Sequence, residues 1–199
     1  MRATLDKLIS GAGLLLAIVL LIGGGLLTWA SSFIGDQVNT QLSEQHITMP
    51  TADATSSLPK ADQSALAQYA GQPLTTGPQA KAYADHYIAV HLSEASGGKS
   101  YAEVSGAYIA QCSDPKAAAT TTCTNLAGLK QTMFMGSTLR GLLLYGYAFA
   151  TIGTIAGIGA IVAYVGAAFL FLLAGLGFWH SRRKGHDVAA ESQPLGAHV

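Results

Sequence analysis

Charge is scarce in this chain. Of 199 residues, 11 are Lys or Arg and 11 are Asp or Glu, so 11% are charged and the formal net charge is zero. Soluble domains usually carry about 25% charged residues. With no basic surplus there is no electrostatic footprint for nucleic acid, which shows as a basic patch or stripe. Cysteine is rare too: Cys112 and Cys123 are the only two. Their spacing is not C-x-x-C, which sets aside a thioredoxin-like redox pair, and too few further ligands stand near them for zinc. No serine lies in a nucleophile-elbow pattern, and no glycine-rich phosphate loop is present. On these grounds neither enzymatic activity nor a cofactor is expected.

Long apolar runs are what the chain has instead. They concentrate in Leu8–Ile34 and Gly141–Trp179, neither of which holds an Asp, Glu, Lys or Arg. A run of 18 or more such residues reads as a transmembrane helix, because ~20 residues at ~1.5 Å each span a ~30 Å hydrocarbon core. Arg2 and Lys7 precede the first block, and Arg182, Arg183 and Lys184 follow the second. Positive residues near the ends of membrane segments stay in the cytoplasm. The expected order is a cytoplasmic N-terminus (1–7), a transmembrane helix (8–34), an extracytoplasmic helical domain (35–140), a second transmembrane helix (141–179) and a cytoplasmic, disordered tail (180–199). This is an all-α protein of the cell membrane, with both termini inside and the lipid bilayer as its first partner. The alternative for the first block is a signal peptide cleaved near Thr28-Trp29-Ala30, although its apolar stretch exceeds the usual 7–15 residues. The second block has 39 residues, ~58 Å if it is one helix and more than one crossing needs. With no polar turn in Thr151–Ala160 it is expected as one long helix, tilted or projecting, whose outer part needs protein to cover it.

The segment between the blocks is marginal in length for an independent core, and its signals are helical. Gly35–His46 continues the first helix, with Val38 and Leu42 as its apolar face. Pro50 and Pro59 bound a loop; Pro59 opens a short helix that Gly71 closes. Thr76 or Gly77 caps the next helix, with Pro78 at its first position. Ala80, Ala84, Tyr87, His91 and Ala95 recur at spacings of three and four and share a face, flanked by Tyr83 and Ile88. Gly97-Gly98 stops it. Ser100 and Glu103 form a capping box that starts another helix. Cys112 and Cys123, outside the membrane, most simply form a disulfide, contributing on the order of 3 kcal/mol in the chain-entropy model. Asn125 is expected to cap the helix that leads through Met133 and Arg140 into the second block.

His86 and His91, five residues apart on a helix, point ~140° away from each other and do not chelate one ion. A copper site drawing on His46, Met49, Met133 and Met135 has soft thioether ligands, but the two neighbouring methionines fit packing better, and no metal site is expected. Asp85 and His86 are adjacent and point apart. Inside the second block, Gly146, Ala150, Gly153, Gly157, Ala160 and Ala167 form a small-residue seam at spacings of four and three, with Tyr164 as its one large member. Gly13, Ala17, Gly24 and Thr28 form a shorter seam in the first block. Small residues let helix backbones approach closely in lipid. The two seams either face each other within one chain or dock on a partner. Neither span holds the ionisable residues that mark ion pathways.

Gly77-Pro78, Ala82-Tyr83-Ala84, His91, Gly97-Gly98-Lys99, Tyr101-Ala102-Glu103 and the Leu139-Arg140 pair together resemble a group of small actinobacterial two-span membrane proteins. Ser96 stands where threonine is usual. The resemblance covers roughly 71–175, and the cysteine loop is an insertion in it. It implies a topology and no activity. Some members carry an aromatic ring-opening dioxygenase label, but this sequence shows no histidine–carboxylate ligand set to support one. The expectation is a non-catalytic accessory or scaffolding subunit on a larger cell-envelope complex, of which a respiratory complex is one concrete version. It would meet another membrane protein, or a second copy, through its second membrane helix. The alternative is an envelope sensor or ligand-binding module that uses the Tyr83/Tyr87/His91 face.

Overall fold

A computed structural model describes residues 2–191, and the side chains of 5–182. The fold is helical, with no strand among the described residues. In order come α1 (Arg2–Ser43), a 3-10 turn (Asp53–Thr55), α2 (Lys60–Ala67), α3 (Gly77–Tyr83), a π-helical turn (Ala84–Ile88), α4 (Ala89–Ser96), α5 (Tyr101–Cys112), α6 (Pro115–Ala118) and α7 (Thr121–Glu191). α1 and α7 are both long and apolar enough to cross a membrane.

Three boundaries differ from the sequence expectation. α7 starts at Thr121, so Asn125 lies inside the helix and does not cap it. The hydroxyl of Thr120, just before the helix, accepts from the Cys123 amide at 3.4 Å instead. The second apolar block is one helix, but a helix of 71 residues that includes polar chain on both sides. Helix also continues through the first part of the expected tail, to Glu191; residues 192–199 lie outside the described residues, as do the side chains of Arg2, Arg183 and Lys184.

The chain divides into two compact units. In the first, Met1–Ser32 with Thr154–Val199, α1 and α7 run antiparallel. Ser10, Ala17 and Gly24 are buried on α1, and Ala160, Ala167, Ala174 and Ser181 on α7. Each set repeats every seven residues, the period that keeps one seam facing its partner in a left-handed pair. Tyr164 breaks the rule of small residues, and α1 answers it with Gly24: a Cβ there would lie 2.9 Å from the Tyr164 ring. Thr28 donates its hydroxyl proton to the Gly24 carbonyl at 2.8 Å. The Tyr164 hydroxyl, 3.1 Å away, therefore donates to Thr28. The large apolar side chains, such as Leu15, Ile22, Ile161 and Phe169, face away from this pair.

The second unit is Phe33–Gly153. Its core joins Val38 and Leu42 of α1, Leu143 of α7, Leu66 of α2, Ala80 and Ala82 of α3 and Ile88 of the π turn, with the loop residues Met49, Leu58 and Leu74. Burying a leucine of this kind contributes ~1.5–3 kcal/mol. The loops keep their backbone satisfied as they enter the core. The Met49 amide donates to Gln72 O and the Leu74 amide to Ile47 O, both at 2.8 Å, around an isolated antiparallel bridge between Thr48 and Pro73. α5 stands outside that core. It lies antiparallel to the start of α7 through the Cys112–Cys123 disulfide, Lys130 over the Tyr108 ring at 4.1 Å, and Tyr101 against Phe134 at 5.7 Å.

Candidate functional site

The segment that carries most of the singled-out residues is α3, the π turn and α4. Thr76 caps α3 and forms a reciprocal box with Gln79. Gln79 is buried; its Oε1 accepts from the Thr75 and Thr76 amides at 2.9 and 3.0 Å, and its amide donates to Gln72 Oε1 at 3.1 Å. The T-x-x-Q spacing that announces this box is present in the sequence and was missed. Pro78 follows at the start of the helix. Gly77 lets α3 sit directly on α7, because a Cβ there would clash with Ala150 Cβ and lie 3.3 Å from Tyr147 Cα. At the far end Gly97 and Gly98 both take positive φ, 63° and 81°, and Ser100 and Glu103 restart the chain as α5 with a capping box.

The π turn inserts one residue into the helical ladder, a feature that often marks functional positions. It sends neighbouring side chains to different partners. Asp85 faces α7: Arg140 Nη2 donates to its Oδ1 at 3.0 Å, and Lys81 is hydrogen-bonded to its Oδ2. Partial burial raises the Asp85 carboxyl, but the hydrogen bonds and charges of Lys81 and Arg140 outweigh this and hold it below the usual carboxylate value. The Asp85 contact in turn raises Lys81. Lys81 also lies 5.5 Å over the Tyr147 ring. Arg140 Nε is buried and has no partner among the described residues. With both carboxylate oxygens engaged, Asp85 works as a clasp between α3 and α7, not as an acid or base.

His86 turns the other way. Its Nδ1 lies 2.7 Å from Asp62 Oδ1 on α2. An ionised carboxylate only accepts, so Nδ1 donates to Asp62. Asp85 and His86 thus share no partner.

Tyr83, Tyr87 and His91 do come together. The tyrosine rings stack at 5.0 Å, and His91 lies 4.3 Å from Tyr87. His91 Nδ1 donates to the Tyr87 carbonyl at 2.7 Å, which leaves Nε2 of this exposed side chain open. Burial, then the neighbouring Tyr87, raises the Tyr83 hydroxyl above its ordinary value.

The seam residues divide between the units. Gly146 lies beside Leu42 of α1 and Ala150 against Gly77, while Gly153 is buried in the same unit. Gly157 meets Ser31, and Ala160 and Ala167 are buried in the other. They face the chain's own helices. The paired cysteines close α5 onto α7, with Cα atoms 5.7 Å apart. Among the described residues, no three His, Cys, Asp or Glu gather to hold a metal ion. Comparison with protein-family models, curated proteins and solved structures finds no match for this chain.

Proposed function

We propose that this chain is a non-catalytic integral membrane protein that serves as an accessory or scaffolding subunit of a larger membrane complex in the cell envelope. One observation carries the reading. The α5–α7 hairpin buries Val104 and Met133 but exposes Tyr101, Ile109, Phe134 and Met135, at 37, 61, 51 and 58%. A disulfide clips it shut. Apolar side chains left exposed on a disulfide-closed hairpin fit a surface for another chain. The small-residue seam is occupied within the chain, which moves the partner surface from the second membrane helix to this arm.

The topology fits. Arg2 and Lys7, with Arg182 to Lys184, support cytoplasmic termini under the positive-inside rule. A disulfide suits an oxidising compartment, which supports an outer location for the domain between the spans. The resemblance to small actinobacterial two-span proteins points to the same arrangement. Purification in mild detergent followed by mass spectrometry tests the function. A stoichiometric membrane-protein companion is expected, and the Ile109→Glu, Phe134→Glu double variant loses it while keeping its helical content.

A second reading rests on His91, whose anchored Nδ1 and open Nε2 suit a ligand-binding module built on the Tyr83/Tyr87/His91 ladder. His91→Ala then abolishes binding of a small envelope ligand without lowering the melting temperature. A lowered melting temperature would make the ladder a packing feature.

A further inference from the structure

The chain has two tryptophans, Trp29 on α1 and Trp179 on α7. Both belong to the unit of Met1–Ser32 with Thr154–Val199, and both are exposed, at 66 and 56%. Within that unit α1 and α7 hold one antiparallel register. Gly13 lies beside Ala174, Leu20 beside Gly166, Gly24 beside Tyr164 and Leu27 beside Gly159. Carried to the ends, this register sets Trp179 level with Leu8 and Trp29 level with Ile158. The two rings thus stand ~32 Å apart along the pair, 21 residues at ~1.5 Å each. A hydrocarbon core is ~30 Å thick, and tryptophan collects at both of its edges.

The polar side chains respect the same two levels. Between them, besides the tryptophans, α1 and α7 carry only Ser10, Thr28 and Tyr164. Ser10 is buried in the pair beside Gly177. The Tyr164 and Thr28 hydroxyls bond to each other, and Thr28 bonds onward to the Gly24 carbonyl. This suits a medium that offers no water to satisfy them. The side chains turned outward are apolar, among them Ile22, Leu26, Val165, Phe169 and Leu172. Polar groups return at once beyond both levels. At one end Asp6 and His180 line a common pocket; at the other, Ser32 and Thr154 are exposed. Lack of charge alone would carry the core on to Gly35, ~41 Å from Leu8 and more than one bilayer core takes up.

We propose that the hydrocarbon core of the bilayer covers this unit from Leu8 to Trp29 on α1 and from Ile158 to Trp179 on α7, with the two tryptophans as its interface anchors. The proposal rests on the membrane reading of α1 and α7 and deepens it. The crossing ends five residues before the first apolar block does, and it takes in only 22 of the 39 residues of the second.

The tryptophans themselves are the probes. Full-length Trp29→Phe and Trp179→Phe chains, each with one tryptophan left, are reconstituted in phosphatidylcholine vesicles brominated close to the head, at mid-chain or near the tail end. In both chains, bromines closest to the head should quench the fluorescence most, roughly two-fold more than those near the tail end, as interface anchors require. If the core instead runs to Gly35, Trp29 lies ~9 Å inside its edge. Strongest quenching of Trp29 from mid-chain or the tail end therefore overturns the proposal, as does a Trp29 that no bromine reaches. Should a variant fail to fold, Thr154→Cys and Val165→Cys take its place, in fragmented membranes open on both faces. A membrane-impermeant maleimide should modify position 154 and spare 165; modification of both, or protection of both, overturns the proposal. Alkaline carbonate extraction is run in parallel. A chain that it releases removes the membrane reading itself, whereas a retained chain with a deep Trp29 removes only this placement of the core.

Discussion

Asp85 joins Lys81 and Arg140 in one ion-paired cluster of the Phe33–Gly153 unit. Its carboxyl is held down, so its contribution is present above the ordinary pKa near 3.8 and lost as pH falls through the lower folded value. Lys81 is held up, so its contribution is present below 10.5 and lost as pH rises through the higher folded value. The clasp is therefore intact from about pH 4 to pH 10. Asp85→Asn should cost about 1 kcal/mol at neutral pH, as expected of a partly solvated pair, and should remove the acid limb of a melting-temperature profile. Wild-type and variant curves that stay parallel down to pH 2 would count against it. Thr76→Ala should cost a similar ~1 kcal/mol by uncapping α3, measured by urea unfolding. Residue-scale legibility was uneven for a physical reason. Caps are local in sequence, so Ser100 and Glu103 could be read directly. The partners of Asp85 and His86 come from α7 and α2, so their pairing required the fold. The π turn has no local signature in the residues that form it.

At the scale of elements, close approach decides which helices meet. Gly77→Leu places a side chain where Ala150 and the Tyr147 backbone already stand, and should destabilise by ~1–3 kcal/mol while lifting α3 from α7. Hydrogen exchange at Ala80–Ala84 reads this directly. Removing the disulfide by Cys112→Ser with Cys123→Ser costs on the order of 3 kcal/mol in the chain-entropy model, but the loss should stay local. α5 and the loop after it should exchange faster while Leu66 and Leu74, in the separate core, keep their protection. Loss of protection in both places would show that the hairpin supports the core after all. Helix stops were legible because glycines at positive φ have one obvious use. The start of α7 was not: Asn125 is a good cap by type, but Thr120 already sits at the turn where the chain leaves α6. The seam was legible as a period of small residues, and the seam of the first block was one of its two expected partners, but the match of Gly24 to Tyr164 shows only once the two helices are laid side by side.

At the scale of the whole molecule, composition carried the membrane assignment. Two uncharged apolar blocks leave little choice of class, and both fall on helices long enough to cross a bilayer. Function is less visible from sequence, because an apolar arm such as α5–α7 looks like ordinary helix until its exposure is known. The account stands on that arm binding another protein. The most direct measurement compares wild type with the Ile109→Glu, Phe134→Glu variant, each isolated in mild detergent from its own membranes and weighed by native mass spectrometry. The account predicts a fixed-stoichiometry complex for wild type and the bare chain for the folded variant. A wild-type chain that is monodisperse and alone, or a variant that keeps the companion, would contradict it.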